Sequence, residues 1–324
     1  MNYIKEYELW LENVKDCEKA ELEAIKDNDA EIKDRFYQSL EFGTAGLRGV
    51  IGLGLNRMNN YVVARATQGL ANQLIKTNPE GADLSVSIAY DSRHMSEEFA
   101  KVSASVLAAN GIKAYIFEEL KPVPELSFSI RHKKATAGIA ITASHNPAKY
   151  NGYKVYGNDG AQLNPDLAAI VLEEIEKTPL FGGAKIMDFE EGIKKGIIEI
   201  MGNEVEEEYL NNVQAQCQNA ELVKEKGKEL KFVYTPFHGT GNKPVRKILN
   251  RIGFENVIVV KEQENPDGDF PTVESPNPEN KEGFKIAIEL AKENGADLII
   301  GTDPDADRVG ILVRDESGEY IVLT

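Results

Sequence analysis

Ser144 is the first residue whose position in the chain indicates chemistry. It follows a run of small and apolar residues, 137–141, that is typical of a buried strand, and the Asn146-Pro147 pair prevents the chain from continuing as strand or helix. We therefore expect its hydroxyl on a loop at the carboxyl edge of a sheet, where open α/β sheets bind ligands. Taken alone, the segment also fits an ordinary polar turn.

Three carboxylates at alternate positions, Asp303, Asp305 and Asp307, form a second candidate site. They lie between two apolar runs, 298–300 and 309–313. Acids this close repel one another unless a cation lies between them, and ligation by oxygen atoms alone suits Mg²⁺. The segment also fits a solvated acidic turn, although its apolar flanks argue against that interpretation.

An EF-hand calcium loop is a poor match to the acidic segment. The position that needs glycine is Arg308, the position that needs the final glutamate is Arg314, and a proline separates the first two acids.

A serine and a carboxylate cation site, each at a strand end, indicate phosphoryl transfer, because a cation can neutralise the charge of a phosphorylated hydroxyl. A Ser-His-Asp hydrolase fits poorly, since Ser144 lacks the G-x-S-x-G context and His145 is too close in sequence to serve as its base.

Basic side chains near the candidate loops could hold a second anionic group. Arg48 lies in a segment with three glycines in seven residues, which allows the backbone to approach a ligand closely. Lys154 lies on a short predicted strand after Asn151-Gly152, which predicts a tight turn, and it also fits a solvent-facing lysine. The full candidate set is Arg48, Arg93, His145, Lys154, His238 and Arg308.

The elements that must position these residues predict an α/β protein. Residues 3–39 predict two helices separated near 27–29, and strands and helices alternate from residue 60 onward, with a less regular stretch at 188–200. A new strand at 230–234 starts a second unit. The pattern predicts two consecutive three-layer α/β/α domains with mixed, mostly parallel sheets, at 1–204 and 205–324.

Composition narrows the classes of partner. The 324 residues carry a formal charge of −16, which argues against nucleic acid or an anionic membrane as a partner. Two cysteines far apart in sequence form no disulfide framework, and the chain shows no signal peptide and no apolar run long enough for a membrane span. We therefore predict a cytoplasmic protein, while the sequence indicates no particular oligomeric state.

The motifs together resemble the α-D-phosphohexomutase superfamily. Segments 142–147, 151–154 and 303–308 carry that resemblance, and segments 42–49, 90–93 and 235–239 are similar to the long bacterial α-phosphoglucomutases and related phosphopentomutases. The similarity extends over nearly the whole chain.

The resemblance implies a mechanism. A phosphorylated Ser144 would pass its phosphoryl group to a hexose phosphate, forming a bisphosphate that turns over in the site and returns its other phosphate to the serine. Ser144, Asp303, Asp305 and Asp307 would bind Mg²⁺. Lys154 and Arg48 match positions assigned to proton transfer and phosphate contact. The predicted substrate-binding residues are His145, Arg308, Arg93 and His238.

Members of this family have four domains. The sugar-recognition loop of the third domain, of the Gly-Glu-Glu-Ser kind, and the phosphate-binding loop of the fourth do not occur in this sequence. The chain therefore resembles the first two domains of a longer enzyme, with domains III and IV absent, and we expect little or no turnover from it alone. The predicted reaction interconverts glucose 1-phosphate and glucose 6-phosphate, with glucose 1,6-bisphosphate as intermediate and activator.

Three alternatives remain open at this point. A phosphomannomutase or phosphopentomutase of the same family uses the same chemistry, and glucose is favoured by overall similarity alone because the discriminating loop is missing. A metal-dependent phosphatase would use Asp303 as its nucleophile. A non-catalytic module would bind a sugar phosphate without any reaction.

Overall fold

The computed structural model describes residues 2–43 and 46–323. Thr44 and Ala45, at the centre of the glycine-rich segment 42–49, lie outside the described residues, as does Thr324 at the end of the second predicted domain. Among the described residues, every helix is too short or too polar to span a lipid bilayer.

The first sheet is mixed and has six strands in the order β1-β5-β4-β2-β3-β6. Strands β4, β2, β3 and β6 run parallel, while β5 is antiparallel to both β4 and β1. The bounds are β1 (Leu47–Val50), β2 (Ser85–Tyr90), β3 (Lys113–Phe117), β4 (Ala137–Ile141), β5 (Tyr150–Gly157) and β6 (Ile198–Met201).

Helices cover both faces of this sheet. Side chains alternate along β4, so Ile139 packs into the core under α4, α5 and α7, whereas Ala140 packs into the core under α6. The helices are α1 (Tyr3–Asn13), α2 (Asp16–Glu23), α3 (Asp29–Phe36), α4 (Asn60–Thr77), α5 (Ser96–Ala109), α6 (Val123–His132), α7 (Pro165–Lys177) and α8 (Phe189–Lys194).

The second sheet has five strands in the order β11-β10-β9-β7-β8. Its strands are β7 (Lys231–Thr235), β8 (Asn256–Val259), β9 (Leu298–Thr302), β10 (Val309–Arg314) and β11 (Tyr320–Leu323). The helices are α9 (Asn203–Gln214), α10 (Ala220–Lys226), α11 (Asn242–Ile252), α12 (Lys261–Glu264) and α13 (Lys285–Asn294), the last preceded by a 3₁₀ turn (Lys281–Phe284). These two α/β/α units confirm the predicted fold class, while the division at residue 204 stays a prediction.

The two sheets repeat one arrangement of strands. The order β5-β4-β2-β3 in the first sheet corresponds to β10-β9-β7-β8 in the second, and in both series the first strand is antiparallel to the second. The loop from β4 to β5 carries Ser144, and the loop from β9 to β10 carries the three acids. Both candidate loops therefore occupy the same position in the repeated arrangement.

Three local predictions were wrong. The amino-terminal region forms three helices, because Val14 leaves the helical conformation and the Lys15 N–H bonds to the Glu18 carboxylate at the start of α2. Asn151 and Gly152 lie inside β5, paired with Gly49 and Arg48, and form no turn. The stretch 188–200 contains α8 and β6, which adds a strand at the edge of the sheet.

Candidate active site and metal centre

The two candidate loops meet at one point between the sheets. The Ser144 hydroxyl donates a hydrogen bond to Asp303 Oδ2 at 2.9 Å, across 159 positions of sequence. Both residues are buried, with 3% and 0% of their surface exposed. The serine and the acids therefore belong to a single site.

Ser144 has a backbone conformation that is unusual for a residue with a side chain. Its φ is +54°, in the left-handed region, and its N–H donates to Thr142 Oγ1 at 2.9 Å. The Oγ also lies 3.2 Å from His145 Nδ1. The sharp turn after β4 thus directs the hydroxyl toward the acids of the second domain.

The three acids are close enough to share one cation. One carboxylate oxygen from each of Asp303, Asp305 and Asp307 lies within 4.8 Å of the others. Burial and the neighbouring charge of Asp305 raise the pKa of Asp303 to about 9, and the same two causes raise the pKa of Asp307. The cluster is thus electrostatically unfavourable when all three acids are charged, which is the condition that a divalent cation relieves.

Asp305 links the acids to the first domain. Its Oδ2 accepts hydrogen bonds from Lys154 Nζ at 2.9 Å and from Thr142 Oγ1 at 3.1 Å. Although burial opposes ionisation, Lys154 and the hydrogen bonds from its neighbours lower the pKa of Asp305. Its Oδ1 is buried with no hydrogen-bond partner among the described residues. A charged carboxylate with an unused buried oxygen fits a metal ligand.

Lys154 and Arg48 reach the site from neighbouring strands. Lys154 on β5 is buried, its Nζ lies 3.7 Å from Asp307 Oδ2, and Asp305 raises its pKa despite the opposing effect of burial. Arg48 on β1 donates from Nη1 to Asn146 Oδ1 at 3.1 Å and is half-buried. The antiparallel ladder β1-β5-β4 thus brings two cations beside the serine loop.

His145 and Arg308 line the same site. Burial, followed by the charges of Arg308 and Arg48, lowers the pKa of His145. The Arg308 N–H donates to Asp303 Oδ1 at 3.0 Å, and its exposed guanidinium lies 3.3 Å from Glu279 Oε1. Arg308 therefore supports the acidic loop with its backbone while its side chain extends to solvent.

Arg93 and His238 have other partners. The Arg93 side chain is fully buried behind the serine loop, where both terminal nitrogens bond to backbone carbonyls. The two ring nitrogens of His238 lie 3.2 Å from the Asn265 carbonyl oxygen and 3.0 Å from Thr272 Oγ1. The structure thus brings six of the predicted side chains together around Ser144: Asp303, Asp305, Asp307, Lys154, Arg48 and His145.

Thr142 and Asn146 are site residues that the sequence reasoning missed. The Thr142 hydroxyl joins the Ser144 backbone to Asp305, and the Asn146 side chain orients Arg48. Both lie within segment 142–147, and their polar side chains, so close to Ser144, are the feature of the sequence that could have indicated a role in the site. Their partners are distant in sequence and could not be read from the motif.

Comparison with known families identifies the two domains. The model of phosphoglucomutase/phosphomannomutase, alpha/beta/alpha domain I, matches residues 39–180, and the model of domain II of that family matches residues 207–318. The chain belongs to the phosphoglucomutase/phosphomannomutase family. The resemblance inferred from the motifs is thereby confirmed.

Similar proteins carry the same family name. A phosphoglucomutase of Staphylococcus epidermidis is 43% identical over 290 residues, which are 89% of this chain and 51% of that protein. A phosphoglucomutase of Staphylococcus saprophyticus is 40% identical over 319 residues, covering 96% of this chain and 55% of that protein. The chain therefore spans about half the length of the curated relatives it matches.

Solved structures of the family share the fold. A Thermus thermophilus structure assigned as a phosphomannomutase has a TM-score of 0.72 and 25% identity, covering 87% of this chain and 58% of that one. The open form of the Paramecium phosphoglucomutase parafusin has a TM-score of 0.64 at 18% identity, covering 87% of this chain and 53% of that one, which supports the fold alone.

Proposed function

We propose that this chain forms the phosphoserine- and cation-binding half of a phosphoglucomutase that interconverts glucose 1-phosphate and glucose 6-phosphate. The observation that carries the proposal is the hydrogen bond from Ser144 Oγ to Asp303 Oδ2, which places a buried hydroxyl in a cluster of three carboxylates. Relatives named phosphoglucomutase at 39–43% identity favour glucose over mannose or a pentose as the sugar.

The proposed transfer moves one phosphoryl group between Ser144 and the sugar. A free hydroxyl of the hexose phosphate attacks the phosphorus of phosphoserine, its bond to phosphorus forms as the bond to Ser144 Oγ breaks, and its proton is passed on to the serine oxygen. The resulting glucose 1,6-bisphosphate turns over and returns its other phosphoryl group by the reverse step. Serine is restored to the phosphorylated state at the end of each cycle.

The residues around Ser144 divide the remaining tasks. Lys154, held as a cation beside Asp305, is the candidate for handling the transferred proton, and Arg48 is the candidate for contacting the phosphoryl group. His145 and Arg308 are the candidates for lining the same site, where they contact Ser144 and Asp303. These roles follow from the family resemblance and agree with the position of each side chain.

The acid cluster fits Mg²⁺ because one buried oxygen of Asp305 has no hydrogen-bond partner in the described part of the chain, and because Asp303 is difficult to ionise without a cation. Asp303, Asp305 and Asp307, with an oxygen on Ser144, would hold the ion. When bound, it supplies positive charge that stabilises the phosphoryl oxygens during transfer. A hexose phosphate as partner and a cytoplasmic location remain predictions.

A comparison of variants separates this proposal from its alternatives. Three proteins are compared: the wild type, Ser144→Ala and a control, Ser127→Ala. The control removes a hydroxyl on α6 of the first domain. Each protein is incubated with glucose 1,6-bisphosphate and Mg²⁺ and analysed by intact mass and peptide mapping. We expect one phosphoryl group on Ser144 in the wild type and the control, and none in Ser144→Ala.

Each alternative predicts a different result. A phosphatase that uses Asp303 as its nucleophile would release phosphate from a sugar phosphate equally well after Ser144→Ala. A non-catalytic module would bind the bisphosphate saturably, and none of the three proteins would be labelled. Either result would refute the proposed function.

A further inference from the structure

One buried guanidinium holds the loop that carries Ser144. Arg93 Nη2 donates to the carbonyl oxygens of Ser144 and Asn146, at 2.6 Å each. Its Nη1 donates to the carbonyl oxygens of Pro147 and Tyr150, at 3.0 Å each. Four carbonyl groups between residues 144 and 150 therefore converge on a single side chain.

The loop needs this support because residues 142–149 lie between β4 and β5, outside the hydrogen-bonded strands. Ser144 has a φ of +54°, and the proline at 147 has no N–H to donate. The Ser144 and Asn146 carbonyls accept no other backbone hydrogen bond among the described loop contacts, whereas the Pro147 carbonyl also accepts from the Tyr150 N–H at 3.0 Å. A buried carbonyl without a donor is unfavourable. Because Arg93 supplies charged donors to four carbonyls between residues 144 and 150, it compensates the backbone conformation that directs the Ser144 hydroxyl toward Asp303.

Arg93 is itself fixed by both domains. Its Nε lies 3.3 Å from Asp91 Oδ2, and Asp91 Oδ1 accepts from the Arg93 N–H and from Ser96 Oγ. On the other side, the Phe270 ring of the second domain lies over the guanidinium, 4.9 Å from Cζ to the ring centroid. Phe270 is buried and also has a positive φ, of +47°. The support of the serine loop is thus in direct contact with the second domain.

This arrangement leaves Arg93 no group with which to hold a substrate phosphate. Each terminal nitrogen already donates to two carbonyl oxygens, the Nε lies 3.3 Å from Asp91 Oδ2, and the side chain is 0% exposed, so no part of it faces solvent or ligand. Arg48, which is half-buried and bonded only through Nη1 among the described contacts, is the contrasting case.

We infer that Arg93 is a positioning residue, which fixes the Ser144 loop in its transfer geometry and connects that geometry to the second domain through Phe270. It acts on the reaction through the loop and not through the substrate. The kinetic part of this inference rests on the proposed function, while the structural part can be tested without any reaction.

The kinetic experiment compares Arg93→Lys and Arg93→Ala with Arg57→Ala. Arg57 is a matched control because it is also a buried arginine of the first domain, and its partners are Glu31 and Asp34. The rate of Ser144 phosphorylation is measured against glucose 1,6-bisphosphate concentration with Mg²⁺ present. For both Arg93 variants we expect the maximum rate to fall about 10²-fold with the half-saturating concentration little changed, because a misplaced reacting group lowers the rate of transfer.

Chemical rescue adds a further readout. Guanidinium ion at a concentration below that which unfolds the protein should restore part of the rate in Arg93→Ala, because it can occupy the vacated space and donate to the same carbonyls. Arg57→Ala should label at the wild-type rate with or without it. A raised half-saturating concentration with an unchanged maximum rate would mean that Arg93 contacts the substrate, and wild-type kinetics in the Arg93 variants would equally overturn the inference.

Hydrogen exchange tests the loop directly. In Arg93→Lys, which retains the charge but cannot reach four carbonyls, the peptide containing residues 142–150 should exchange faster than in the wild type and in Arg57→Ala. Equal protection in all three proteins would overturn the inference even if labelling succeeds. A wild type that is never labelled would instead refute the proposed function, and the exchange result would still decide the role of Arg93.

Discussion

Asp305 affects both the stability of the fold and the chemistry of the site. It is 1% exposed, and its charge depends on Lys154 and Thr142, which come from the first domain. A buried carboxylate that loses its salt-bridge partner keeps the cost of desolvation without that compensating attraction. Substitutions around Asp305 should therefore change both the stability and the transfer reaction.

Replacing Lys154 with methionine tests this dependence. Without Mg²⁺, we expect the free energy of unfolding to fall by about 3–5 kcal/mol, because Asp305 is left charged and unpaired. The rate of Ser144 phosphorylation should fall about 10²-fold or more, as for the loss of a group that handles a proton. Urea unfolding and the labelling rate measure the two effects.

Lys149→Met is the matched control for Lys154. Lys149 precedes the same strand and is exposed, so its replacement should change stability by no more than about 0.5 kcal/mol. If Lys154→Met is labelled at the wild-type rate, Lys154 has no part in the transfer.

The acid cluster predicts stabilisation by Mg²⁺. At a concentration about 100 times its dissociation constant, Mg²⁺ should raise the free energy of unfolding of the wild type by about 2.7 kcal/mol. Asp305→Asn should lose most of this gain, whereas Asp166→Asn, at an exposed position in the first turn of α7, should retain it. Thermal unfolding with and without Mg²⁺ measures the gain, and an equal gain in Asp305→Asn would exclude the cluster as the binding site.

The antiparallel strands β1, β5 and β4 are the elements that place the cations beside the serine loop. Gly152 on β5 pairs with Arg48 on β1, and Lys154 pairs with Ala140 on β4. A Cβ at position 152 would lie 2.5 Å from the Thr142 carbonyl oxygen and 2.9 Å from that of Leu47. The three strands approach closely at this point because residue 152 has no side chain.

Gly152→Ala should therefore separate these strands. We expect a loss of about 1–3 kcal/mol in the free energy of unfolding, as for overpacking of a core, together with slower labelling of Ser144. Gly157→Ala on the same strand is the control, because its nearest contact is the Asp159 side chain at 3.1 Å, which can move. Equal losses in the two variants would show that the close approach at Gly152 has no special importance.

Both candidate loops could be predicted because their signals are local. A polar motif directly after a buried strand indicates the loop at a sheet edge, and alternating acids indicate a cation site, with no knowledge of distant contacts. Lys154 was ambiguous because its burial depends on Asp305, which lies 151 positions away. Asn151-Gly152 has the composition of a turn, but the Asn151 side chain bonds to Ser96 Oγ and the His94 carbonyl, and these tertiary contacts place it inside a strand.

In the molecule as a whole, the site forms between the two sheets of the chain, which share one arrangement of strands. Hydrogen bonds to the backbone also join the two domains beside the site: the Val123 N–H donates to the Asp305 carbonyl at 2.9 Å, and Ser275 Oγ donates to the His145 carbonyl at 2.7 Å. Changes at the contact between the domains should therefore be transmitted to the site.

A buried charge cluster lies at this contact. Lys121 and Glu125 of the first domain face Glu206 of α9 and Lys247 of α11, with Glu119 at the margin of the cluster. Lys121 and Lys247 both bond to Glu206. The Glu125 carboxylate is 0% exposed, and neither of its oxygens has a hydrogen-bond partner among the described residues. Burial, opposed by Lys121 and reinforced by Glu206, raises the pKa of Glu125 to about 7.

This pKa predicts a pH dependence of stability. The folded chain holds a proton on Glu125 that the unfolded chain releases near pH 4.5, so the contribution is fully present below that pH and is lost as the pH rises through about 7. Between pH 4.5 and 8, the wild type should lose about 3 kcal/mol relative to Glu125→Gln, which does not ionise. Urea unfolding across this range measures the difference.

The exposed Glu289 of α13 provides the control, and Glu289→Gln should follow the wild type across the same range. If Glu125→Gln has the same pH dependence as the wild type, Glu125 is ionised in the folded protein and the assignment of its pKa is wrong.

The most direct measurement of the central claim is the mass of the protein after incubation with glucose 1,6-bisphosphate, once with Mg²⁺ and once with a chelator in its place. With Mg²⁺ we predict one added phosphoryl group, mapped to Ser144, and with the chelator no addition. A phosphoryl group on another residue, or equal labelling without a divalent cation, would contradict the conclusion that Ser144 and the three acids form a single cation-dependent site.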